Sequence, residues 1–177
     1  MEYKNYYHNC SQEYLCYFFQ VNKIDATEIH KIIKDLQYLG PTGKQVIYND
    51  KLKNSFVSNN WKKEEKISND KHIRMTVDFS KNFDGKQVFV EVQFGKTEAL
   101  LKDICKMQIA FNEKLLTLGV IIVPHEPRHM FAGRKRAISG MAYLNMGIET
   151  LKHLPFNFPI WMIGLNPKLD KELLKIK

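Results

Sequence analysis

Cysteine, proline and long apolar runs are all scarce in this chain of 177 residues, and each shortage removes a class of protein. Three cysteines (Cys10, Cys16 and Cys105) form an odd set without metal-ligand pairing, which argues against a disulfide framework and predicts a reducing, cytoplasmic compartment. Apolar runs such as VIIV at 120–123 are far too short to span a bilayer, so no membrane partner is expected. The N-terminal MEYKNYYHNC lacks the apolar segment of a secretory signal. No internal repeat or domain linker interrupts the sequence. A single domain, 1–177, is expected.

What is present is a core and a surplus of positive charge. Hydrophobic residues make up 44% of the chain, enough for one globular domain with a sizeable interior. The net charge is +8, from 27 Lys+Arg against 19 Asp+Glu. Such a balance suits a polyanionic partner such as nucleic acid, although a solvated lysine-rich surface would give the same number.

Residues 1–24 are rich in aromatics, with a short helix expected from Ser11. A second helix is predicted from Asp25, where Asp-Ala-Thr-Glu forms a capping box, to near Gly40-Pro41. Its apolar stripe is Ile29, Ile32, Ile33 and Leu36. Residues 41–50 read as a polar loop, 51–57 as a short helix, and 58–71 as a charged surface loop anchored by Trp61. From Ile73 to Gly95 the alternation of side chains predicts two strands joined by a turn at Asn82, Asp84 and Gly85. A helix from Thr97, with Leu100, Ile104, Met107, Phe111 and Leu115 on one face, ends before Gly119. There follow an apolar strand at 118–123, a basic loop at 125–136, a helix from Ser139 to Leu151 and a strand at 159–165. This order suggests an α/β sandwich around a mixed sheet.

The hairpin carries the chemistry. Asp78, Glu91 and Gln93 lie among valines and phenylalanines, where a carboxylate is costly unless paired or bound to metal. Glu91 and Gln93 are two apart and share a strand face, and the turn can bring Asp78 beside them. Mg²⁺ takes oxygen ligands of this kind: one or two carboxylates, a carbonyl and waters. Polar residues on the wet face of an antiparallel pair would look the same by spacing alone.

VDFSKN at 77–82 and VFVEVQFGK at 88–96 resemble the BglII-like type II restriction endonucleases of the PD-(D/E)XK nuclease superfamily. Most of that superfamily has Glu-X-Lys, whereas the BglII-like branch has Glu-X-Gln, as in Glu91-Val92-Gln93 here. Weaker similarity extends over 43–63, HMF at 129–131, ISGMAY at 138–143 and IWMIGL at 160–165.

The resemblance implies a restriction-endonuclease-like sandwich, a central mixed β-sheet flanked by α-helices. It also implies Mg²⁺-dependent cleavage of double-stranded DNA at a short palindrome, leaving 5′-phosphates. By the same likeness the family's metal-binding Asp and Glu fall on Asp78 and Glu91 and its Gln on Gln93. On the strand geometry the Val92 carbonyl would join the two carboxylates at the metal, with Gln93 beside the attacking water. Asp84 is an alternative to Asp78, because FDG at 83–85 looks like an insertion. Asp78 better fits the family's Asp-Phe at the end of the first strand. A further polar family position falls on Glu64, which reads equally well as a solvated loop residue. The family's groove-reading loop corresponds to about Ala132–Gly140, making Arg134, Lys135, Arg136 and Ser139, together with Lys96, candidate DNA contacts. A homodimer matches a palindrome's two-fold symmetry, and a cognate methyltransferase is expected in the same system but not as a bound subunit.

His125-Glu126-Pro127-Arg128-His129 matches the zinc-protease pattern H-E-x-x-H, which needs both histidines on one helical face. Pro124 and Pro127 place the segment in a loop instead. Two other readings stand beside the restriction enzyme: a nuclease of repair, junction resolution or a mobile element, and a basic DNA-binding protein without hydrolytic activity.

Overall fold

A computed structural model of the chain describes residues 1–8, 26–36, 44–131 and 138–166. Its centre is the stretch the sequence makes most apolar. Strand β5 (Leu118–Pro124) and strand β6 (Ile160–Asn166) run parallel and are buried almost throughout. Strands covered on both faces need apolar residues at successive positions, which is what LGVIIVP and IWMIGL supply.

Strand β4 (Lys86–Val92) pairs parallel with β5, and β3 (Thr76–Phe83) pairs antiparallel with β4. The edges are β2 (Lys62–Lys66) beside β3 and β1 (Glu2–His8) beside β6, both antiparallel. The mixed sheet thus has the order β1-β6-β5-β4-β3-β2.

Helices cover both faces. On one side α1 (Ala26–Lys34) and α2 (Gln45–Ser58) place Ile29, Ile33, Tyr48, Leu52 and Phe56 against Val88, Val90, Val120 and Ile122. On the other, α3 (Thr97–Asn112) and α5 (Leu144–His153) place Leu100, Ile104, Met107 and Leu151 against Phe89, Ile121 and Val123. Alternate residues of β5 feed opposite layers, as the two-residue period of a strand requires. A one-turn helix, α4 (Pro127–Phe131), follows β5. No helix among the described residues is long and apolar enough to cross a membrane.

Several expectations need correction. Residues 45–50, expected as loop, belong to α2: its buried stripe is only Tyr48, Leu52 and Phe56, while Val46, Ile47 and Val57 are exposed, so its pattern is not amphipathic. The charged stretch KKEEK is the edge strand β2, and the aromatic-polar EYKNYYH is the edge strand β1. Edge strands favour charge, lysine above all, because it blocks pairing with another chain. α1 ends at Lys34, well before Gly40-Pro41, and α5 begins at Leu144 rather than Ser139. The hairpin turn is tighter than expected: Phe83 pairs with Lys86, leaving only Asp84 and Gly85 between them, at φ 49° and 83°. Two successive positive φ values are those of a type I′ turn, which suits the strands' twist and favours Asp-Gly. The H-E-x-x-H segment also includes a helical turn, with Pro127 at its first position, where no backbone N–H is needed. His125 precedes that turn, so the two histidines do not share a helical face. The expected helix from Ser11, Asp25 of the capping box, Cys10 and Cys16 lie outside the described residues.

Candidate active site

The two strands of the hairpin separate where the motif begins. Pairing between β3 and β4 runs from the turn back to Phe79 and Val90 and stops there. Val77 packs on the α3 side and Phe79, two residues on, on the α2 side, so strict alternation breaks at Asp78. Opposite, Lys63 pairs with Phe79 and Glu65 with Val77; Glu64 between them has φ 54°, uncommon outside glycine. Such local irregularity re-aims a side chain. Here it turns Asp78 toward β4, where its Oδ2 accepts the backbone N–H of Val92 at 2.9 Å.

Glu91 lies on the α3 face of β4 and is only 2% exposed. Its Oε1 is ion-paired with the Lys106 ammonium from α3. Lys106 also reaches Asp103 Oδ1 at 3.0 Å and donates to the Thr76 carbonyl at 3.0 Å. Gln93, on the same face two residues on, donates from Nε2 to Asp103 Oδ2 at 2.6 Å. Its Oε1 accepts the Gly95 N–H at 2.7 Å, so the carboxamide is held at both ends. One N–H and one lone pair of that amide remain available.

The electrostatics are unbalanced. Asp78, Glu91 and Asp103 are three carboxylates, against one ammonium reaching them. Burial first, then Asp78 and Asp103, push the Glu91 carboxyl up to about 9, against the opposing pull of Lys106. For Lys106, burial works against the charged form, but Glu91 and then Asp103 outweigh it and hold the ammonium above its ordinary pKa. With all four groups ionised, the site carries two uncompensated negative charges. A divalent cation has the charge to balance them. Among the described residues no three His, Cys, Asp or Glu side chains form a metal cage. The available donor set, two carboxylates with a carbonyl and water, matches what a hard cation such as Mg²⁺ takes.

The other sequence candidates divide by position. Asp84 sits in the exposed turn, about 20 Å from Asp78 at the rise of a strand. Glu64 is exposed and 3.8 Å from the Lys63 ammonium, yet it lines a cleft of about 260 Å³ with Asp50, Lys53, Asp78 and Val92. Lys96 is exposed at the start of α3 and bridges to Met141, while Gly140 accepts the Thr97 N–H and Ala142 donates to Gly95. These bonds bring the exposed Ser139 to the same edge as Lys96. A larger cavity of about 910 Å³, lined by His125, Arg128, Ser139 and Tyr143, opens alongside. Arg134, Lys135 and Arg136 lie outside the described residues.

Asp103 and Lys106 were missed by sequence reasoning. The signal was there in weak form: two opposite charges at i, i+3 directly beside the apolar stripe Leu100-Ile104-Met107. Asn49, Asp50 and Lys53, on the cleft side of α2, had no recognisable signal.

Comparison with known proteins bears on the family and the fold. Residues 3–165 match the family described as restriction endonuclease BglII/BglIII. No curated protein sequence matches the chain. Among solved structures, it resembles restriction endonuclease BglII complexed with a DNA 16-mer, with a TM-score of 0.67 and 19% identity over 96% of this chain and 80% of that one. At that identity the likeness establishes the fold: a six-stranded mixed sheet with helices on both faces.

Proposed function

This chain belongs to the restriction endonuclease BglII/BglIII family and is a type II site-specific deoxyribonuclease, and we propose that Asp78, Glu91 and Gln93 form its cutting centre. The substrate is double-stranded DNA with a short palindromic site, and the cofactor is Mg²⁺. The observation that carries this reading is the cluster itself: Glu91 is buried beside Lys106, which also reaches Asp103, Gln93 on the same face is tied to Asp103, and Asp78 is held by the Val92 N–H.

Asp78, Glu91 and the Val92 carbonyl would hold the cation. Bound there, it would supply charge stabilisation at the phosphate and a more acidic water. The chain's own contribution is orientation. The Val92 N–H fixes Asp78, Asp103 and the Gly95 N–H fix Gln93, and the free positions of the Gln93 amide can hold a water. Glu64 and Lys63 stand at the mouth of the cleft beside Asp78, placed to meet the DNA backbone or its waters.

Lys96, Ser139, Arg134, Lys135 and Arg136 are assigned to DNA. Lysine and arginine neutralise phosphates, and arginine can also pair with a guanine edge. Lys96→Ala should weaken binding equally across sequences and lower the salt slope by about one, measured by filter binding in Ca²⁺. An unchanged slope would remove Lys96 from the interface. A palindrome read by identical subunits calls for a homodimer, with a methyltransferase acting separately to protect the host site.

Digestion of plasmid DNA with and without Mg²⁺ tests the whole reading: discrete bands with 5′-phosphate ends are expected. Failure to cut any DNA in Mg²⁺ would sink it. Gly95→Ala tests the orientation of Gln93, because its Cβ would stand 2.7 Å from Gln93 Oε1 and force the carboxamide aside. Cleavage should fall roughly 10- to 100-fold with little change in stability. A wild-type rate would show that Gln93 need not be held where it is.

A further inference from the structure

We propose that Lys106 is the resident cation of this site, offsetting part of the charge of Glu91 and Asp103 in the metal-free enzyme and sharing them when a divalent cation enters. The inference rests on the metal reading above and adds a positioning residue to it. Lys106 is 8% exposed, and its ammonium has three neighbours: Glu91, Asp103 and the Thr76 carbonyl. The carbonyl accepts a hydrogen bond from it, and the two carboxylates are its ion partners. Gln93, the motif position where a lysine would bring a charge, is a neutral amide and is itself tied to Asp103. The charge beside Glu91 comes instead from the helix behind the strand. Lys106 does not contact Asp78, whose Oδ2 is held by the Val92 N–H, so one carboxylate stays outside its reach. The site is thus built partly neutralised, with one ammonium among three carboxylates. It can fold around its buried carboxylates before any metal arrives and still attract one.

A lysine that merely ties α3 to β3 would contribute the same stability whether or not a cation is bound. A resident cation would not, because its loss leaves more negative charge for the metal to relieve. The test is thermal unfolding of the full chain in chelator and in saturating Mg²⁺, for the wild type, Lys106→Met, Lys106→Arg and Asp103→Asn. Lys106→Met should unfold at a lower temperature in chelator, and its Mg²⁺-induced rise should be at least about twofold that of the wild type, since stabilisation by a ligand grows with affinity. Lys106→Arg, which keeps the charge, should behave as the wild type. Asp103→Asn removes one negative charge and should show a smaller rise; it keeps the inference testable if Lys106→Met does not fold. Folding of Lys106→Met restored by Mg²⁺ also counts in favour. Equal rises in Lys106→Met and the wild type would overturn the inference, as would an undiminished rise in Asp103→Asn. No rise in the wild type would overturn the metal reading itself, and this inference with it.

Discussion

Asp78→Ala and Glu91→Ala should each reduce DNA cleavage by at least about a thousandfold, because charge stabilisation by a bound metal contributes several kcal/mol to such a transition state. DNA binding should survive in Ca²⁺, which can occupy a carboxylate site without supporting the chemistry. The two variants differ in what else they disturb. Asp78 is half-buried and accepts the Val92 N–H, so alanine there leaves one backbone donor short. Glu91 is the partner of a buried ammonium, and removing one side of a buried pair costs about 3–5 kcal/mol when the other is left uncompensated. Asp103 and the Thr76 carbonyl still hold Lys106, so the loss should fall below that range. Glu91→Gln, nearly equal in volume, separates the chemical from the structural effect. Asp84→Ala is the control: its side chain lies in the hairpin turn, and cleavage should continue at the wild-type rate. Full cleavage by Asp78→Ala together with loss in Asp84→Ala would reverse the assignment across the turn.

How much of this was legible depended on how a residue's environment is recorded in its neighbours. β5 could be read directly, since a strand buried on both faces has to be apolar at nearly every position. The stripe of α3 was equally plain at Leu100, Ile104 and Met107. β1 and β2 were not legible: each has only one neighbour and little burial, so nothing forces an apolar alternation on EYKNYYH or KKEEK. The same logic applies within the site. Glu91 and Gln93 are visible because two residues of one strand share a face whatever surrounds them. The break in alternation at Asp78 is set by the strands parting, and Lys106 joins the cluster only because α3 crosses behind β4. Those are tertiary facts, and no local spacing encodes them. The Glu-X-Gln signature pointed to the family from a handful of residues, but it was silent on the Lys106 ammonium that pairs with Glu91 and Asp103.

Phe56→Ala should lower stability by about 3–5 kcal/mol, the usual cost of emptying a buried aromatic site. Phe56 is fully buried on α2, stacked on Phe79 with ring centroids 4.6 Å apart and edge-on to Trp61 at 5.2 Å. The neighbours are held from outside as well: the Trp61 indole N–H donates to Glu28, and the Lys81 ammonium contacts the same carboxylate at 2.8 Å. Collapse into the cavity is therefore restricted, which places the expected cost toward the upper end. In a domain of this size that corresponds to a fall of roughly 6–20 °C in Tm. Val57→Ala, next in sequence but 46% exposed, should change stability by less than about 0.5 kcal/mol. Urea unfolding of both variants measures the difference, and a Phe56→Ala cost below about 1 kcal/mol would mean that α2 does not pack on the hairpin as described. The consequence for activity follows from position. Phe79 is the residue after Asp78, and α2 also contributes Asp50 and Lys53 to the cleft that Asp78 lines. Below its melting range Phe56→Ala should therefore cut more slowly than its folded fraction accounts for. A rate that simply tracks the folded fraction would show that the aromatic stack supports the fold without aiming Asp78.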